Sequence, residues 1–107
     1  MNSKTIIIGL LFLGLVFAGH VSAHSPLCSC LDNGDGTVTC EGGFSDGSSA
    51  AGVTMMLKDA AGKVLVKGKT DRLGNFVFKK PAGGAYKVVF DGGPGHVLEV
   101  SSKDISK

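Results

Sequence analysis

The sequence predicts an all-β protein: a small antiparallel β-sandwich of six to seven strands, placed behind an export signal. Two observations carry this. Apolar residues recur at every second position in short runs such as "VTMMLKD" and "AYKVVFD", the period of a strand with one buried face. Turn sequences, drawn from 17 glycines, separate those runs, which is the spacing of an antiparallel all-β domain. No stretch beyond residue 23 has the periodicity of a helix.

The first element is a signal peptide over residues 1–23. Lys4 supplies a positive start, "TIIIGLLFLGLVFAG" an uncharged apolar core, and "VSA" the small residues a signal peptidase reads. The core is too short for a comfortable membrane span. Cleavage after Ala23 leaves His24 as the mature N-terminus of an exported protein, periplasmic or extracellular, with no membrane span in the mature chain. Residues 24–41 then read as a Cys-rich hairpin, "CSCL" and "TVTC" around "DNGDG", and residues 42–107 as the sandwich, the two forming a single domain. "GGFSDGSSAAG" is the link between them.

Along the sandwich, Val53, Met55 and Leu57 share one strand face, with Met56 on the other. "AAGK" turns the chain and "VLVKGKT" returns. "DRLG" turns again, because an Asp at position 71 can bond its own backbone and Gly74 can take positive φ. Phe76 and Phe78 point toward the core, as do Tyr86, Val88 and Phe90, then Leu98 and Val100 after the "GGPG" turn.

Charge excludes some partners. Removing Lys4 from the 11 basic side chains leaves near balance against the 9 acidic ones, so no basic field exists to hold nucleic acid or an anionic membrane. Catalysis finds no support: there is no nucleophile elbow and no phosphate-cradling loop before a helix, so the chain is read as a non-enzyme that binds.

All three cysteines, Cys28, Cys30 and Cys40, fall in the hairpin. In a small exported protein cysteines pair, and a loop of this length stabilises the fold by about 3 kcal/mol in the chain-entropy model. A three-residue loop "GDG" sets Cys30 opposite Cys40; a five-residue loop "DNGDG" sets Cys28 there. Entropy does not choose between them, and one thiol is left over. The loop carries Asp32, Asn33 and Asp35, but a calcium loop needs alternate acceptors and a Glu at its twelfth position, where this chain has Gly43. The loop is a hairpin turn.

His24 offers an α-amine and Nδ1 to one cation, a chelate suited to copper(II) or nickel(II). Cys28, four residues on, would add a thiolate that favours copper(I), zinc or nickel. His96 shares strand parity with Leu98 and Val100, at the rim of the inward face. His24, Cys28 and His96 are therefore the candidate metal ligands.

The run from Asp46 to His96 resembles the carboxypeptidase regulatory-like, or transthyretin-like, sandwich, an architecture of immunoglobulin-like appearance. Its pattern of a DG turn, a D-x-x-G-K turn, "TD-x-x-G-x-F-x-F" and "Y-x-V" falls here on Asp46 and Gly47, Asp59 to Lys63, Thr70, Asp71, Gly74, Phe76, Phe78, Tyr86 and Val88. Such modules serve many unrelated proteins, often as structural or protein-interaction units. The chain is also similar to exported accessory proteins of nickel and cobalt importers. The shared features are a signal peptide, a mature end at a histidine, the "TD-x-x-G-x-F" core and a loop made by Gly92, Gly93, Gly95 and His96. It differs from them in the Cys-rich hairpin and in the polar "SSKDISK" where they carry a membrane helix. That similarity implies a nickel, cobalt or copper ion as cargo, and a membrane metal transporter or another exported protein as partner.

Overall fold

Seven strands form in the computed structural model, which describes residues 24–107; the signal peptide expected over residues 1–23 lies outside the described residues. They are β1 (Pro26–Asp32), β2 (Thr37–Phe44), β3 (Thr54–Asp59), β4 (Val64–Lys69), β5 (Asn75–Lys79), β6 (Tyr86–Asp91) and β7 (Val97–Ser101), followed by a short 3-10 turn at Ser102–Asp104. All pairings between them are antiparallel. One sheet has the order β1-β2-β5 and the other β4-β3-β6-β7.

The alternating pattern is what closes these sheets on each other. Cys30, Val38, Cys40 and Phe78 from the first sheet meet Met55, Leu57, Tyr86, Val88 and Phe90 from the second in one buried cluster. Met55, Leu57, Val38, Val88 and Phe90 have almost no exposed surface, so the interior is the closely packed layer expected between sandwich faces. Phe76, Leu98 and Val100 pack at its margin. Val89, on the outer face of central strand β6, is also buried; it lies between Met56 of β3 and Glu99 of β7 in register.

The hairpin register is the three-residue-loop alternative. Cys30 stands opposite Cys40 and Asp32 opposite Val38, leaving Gly34, Asp35 and Gly36 at the tip, closed by Asn33 N–H donating to the Thr37 carbonyl at 3.0 Å. The Asp35 carboxylate accepts from the Thr37 N–H and hydroxyl, while Gly34 and Gly36 on either side take φ of +80° and +90°. β2 then runs on through Gly42, Gly43 and Phe44, residues the sequence places in a link. The hairpin is thus part of the first sheet, and Gly42 is tightly placed: a Cβ there would lie 2.6 Å from Phe90 Cε2.

Two aspartate turns repeat one device. Asp59 Oδ1 accepts from the backbone of Ala61 and Lys63, and Asp71 Oδ1 from Leu73 and Asn75. In each a glycine three residues on has positive φ and donates to the aspartate carbonyl. Past the 3-10 turn the chain runs beside β1, where Asp32 N–H donates to the Ser106 carbonyl at 2.7 Å. Among the described residues no helix is long and apolar enough to cross a membrane.

Candidate metal centre

The "GGPGH" stretch joins β6 to β7 by a turn in which His96 N–H donates to the Gly93 carbonyl at 2.9 Å. Pro94 and Gly95 occupy its two central positions, Gly95 with φ +79°, the residue pattern of a type II turn. Gly92 N–H donates to the His96 carbonyl, also at 2.9 Å. This places the imidazole of His96 at the end of the sandwich. Gly92 is tightly placed: a Cβ would lie 3.1 Å from His96 O and 3.3 Å from Phe44 Cζ.

His24 reaches the same end from the other sheet. Just before β1, Ser25 N–H donates to Ser45 Oγ at 2.8 Å and Ser45 N–H to the Ser25 carbonyl at 2.9 Å, so the chain is tied at both points beside the end of β2. The ring of His24 then packs edge-on to Phe44 at 5.0 Å and against His96 at 4.8 Å between centroids. Phe44 in turn rests on Phe90 of the core at 5.7 Å. Phe44, itself half-buried, thereby links both imidazoles edge-on to the buried Phe90.

In both rings Nδ1 is the nitrogen that faces an oxygen. His96 Nδ1 is 3.2 Å from the Pro94 carbonyl oxygen, an acceptor only, so Nδ1 carries the proton. His24 Nδ1 is 3.2 Å from Asp46 Oδ2 and faces a carboxylate in the same way. In each neutral ring Nε2 then holds the lone pair. Engaging Nδ1 with a carbonyl or carboxylate is how proteins orient metal-ligating histidines. Asp46 is well suited to that role, since the Ser48 hydroxyl, then the Ser48 N–H, with His24 adding to them, hold its carboxyl below the usual carboxylate range.

Cys28 lies elsewhere. Cys30 and Cys40 form a disulfide, and the free thiol of Cys28 is gathered with them, the three sulfurs lying within 4.8 Å of one another. Burial pushes the Cys28 thiol up to about 11, so at neutral pH it is protonated. The structure therefore brings together His24 and His96 of the expected ligands and sets Cys28 in a separate sulfur cluster.

No protein-family model, curated protein or solved structure matches this chain.

Two residues at the histidine end were not singled out by sequence. Asp46 reads only as the start of a DG turn, and it does make that turn through the Ser48 N–H. Phe44 follows two glycines, which hide the alternation that would mark it as a strand residue. The arrangement as a whole offers two imidazole rings at the protein surface, with an ionised carboxylate behind one of them. That donor set suits a borderline divalent cation. The Nδ1 of His24 that a terminal chelate would use already faces Asp46.

Proposed function

We propose that the protein is an exported, non-catalytic binding domain of the carboxypeptidase regulatory-like type that handles a transition metal, taking nickel(II), cobalt(II) or copper(II) as cargo. His24 and His96 would hold the ion through Nε2, with Asp46 and the Pro94 carbonyl orienting the rings. The observation that supports this reading is the convergence of the two histidines from opposite sheets, each with Nδ1 directed at an acceptor. Two imidazoles alone leave the cation's remaining positions to water or to a partner's ligands, which fits an accessory that passes its ion on to a membrane transporter.

The test is calorimetric titration of nickel(II) and copper(II) into the chain beginning at His24, beside His24→Ala, His96→Ala and a form with one extra alanine ahead of His24. Either substitution is expected to weaken binding tenfold or more, and the added alanine to change it by less than about threefold. Equal, weak binding by all four proteins would defeat the proposal. Loss on alanine addition without loss in His96→Ala would replace the paired imidazoles with a terminal amine chelate.

A second reading, a module that docks a protein partner, is favoured by one feature. Edge strand β4 exposes Val64, Leu65 and Val66 at 45, 43 and 38%, and an open edge can accept an added strand. Metal-independent capture of an extended peptide, abolished by a proline at Val66, would support it.

A further inference from the structure

The sulfur cluster is a different kind of site from the histidine pair and is built from different residues. Cys28 and Cys30 are two apart on β1, hence on the same face. Cys40 stands directly opposite Cys30, and Cys28 is its diagonal neighbour. Gly42 is the residue opposite Cys28, and the Phe90 ring takes the place that a side chain at Gly42 would have. Cys30 and Cys40 are buried while Cys28 is half-buried, which makes Cys28 the side from which an ion or a reductant approaches. A three-coordinate ion with metal–sulfur bonds of about 2.3 Å spaces its ligands about 4 Å apart. The three sulfurs already lie within 4.8 Å of one another.

We propose that reduction of the Cys30–Cys40 bond converts this cluster into a three-thiolate site for copper(I). In the oxidised protein the cluster has one protonated thiol and no place for the ion. An external dithiol supplies two electrons and two protons: its own sulfurs join as a disulfide, the Cys30–Cys40 bond breaks, and both cysteines become thiols. Rotation of a reduced side chain then opens the pair. One copper(I) displaces the three thiol protons to solvent, and Cys28, Cys30 and Cys40 each contribute one sulfur. Thiolates suit such a soft ion. The half-exposed position of Cys28 lets the net negative charge of the complex face water.

The experiment is anaerobic titration of copper(I), delivered from a competing chelator, into the oxidised and the dithiol-reduced protein. Cys28→Ser and His24→Ala are run in parallel, with far-ultraviolet circular dichroism of each sample. The reduced parent is expected to take up one copper(I) and stay folded, the oxidised parent to take up none in competition, and reduced Cys28→Ser to bind at least tenfold more weakly. His24→Ala is expected to match the parent, which separates this site from the histidine pair. Equal uptake by oxidised and reduced protein, an unchanged Cys28→Ser, or loss of the β-sheet signal on reduction would each overturn the proposal.

Discussion

Cys28 shows how far a single side chain's behaviour is set by where its strand places it. Its thiol ionises near 11 because burial disfavours the thiolate. The folded value is raised, so the thiol contributes stability that is complete at neutral pH, below its ordinary range, and is lost as the pH rises toward 11. The same shift governs reactivity, since the thiolate is the nucleophile. At pH 8 alkylation of Cys28 in the folded protein is expected to be about 100-fold slower than in denaturant, from the reduced thiolate fraction alone. Mass spectrometry of iodoacetamide-treated samples checks this, and equal rates would show an open thiol. The sequence announces that one cysteine of three is left over. It does not say which, because two turn lengths differ too little in closure entropy to decide; the choice rests on Asp35 bonding Thr37 between two positive-φ glycines.

At the scale of elements, period-two alternation made β3, β6 and β7 legible with their inward faces: Met55 and Leu57, Tyr86 with Val88 and Phe90, Leu98 and Val100. The end of β2 was not legible, since Gly42 and Gly43 carry no side chain to alternate. Gly42 is glycine because the Phe90 ring occupies the place of a side chain, and such a tertiary approach leaves no local signal. The meeting of His24 with His96 was hidden for a related reason: it joins the end of one sheet to a turn of the other, and only packing sets that distance. The turn that seats His96 gives a specific expectation. Gly92→Ala would press on the His96 backbone and the Phe44 ring. It should lower nickel(II) affinity about threefold to tenfold while costing no more than about 1–3 kcal/mol of stability, the range for modest overpacking. Paired titration and thermal melts measure both, and unchanged affinity would show that the turn does not govern the histidine.

For the whole molecule, the outer strand β1 is tied at both ends, to its own sheet and across to the chain of the other. At one end of that strand Asp32 bonds Ser106, and its carboxylate pairs with Lys80 at 2.9 Å. At the other end the ties are the Ser25 and Ser45 bonds, with the His24 ring lying against Phe44 and His96. The Lys80 ammonium and the Gly34 N–H hold the Asp32 carboxyl below its usual range. That tie is therefore present at neutral pH and is lost only as the pH falls through the depressed value. Edge strands and chain ends open first in most folded proteins, and a ligand that binds only the closed form suppresses such opening by mass action. A cation held between His24 and His96 would bolt the outer strand to the far sheet at the end of the sandwich where the two rings meet. Resistance to proteolysis would then track metal supply. The loaded protein is expected to outlast the metal-free one in limited proteolysis, with the first cuts in the metal-free form falling at β1. The histidine contact would thus set how long each molecule persists, as well as what it carries.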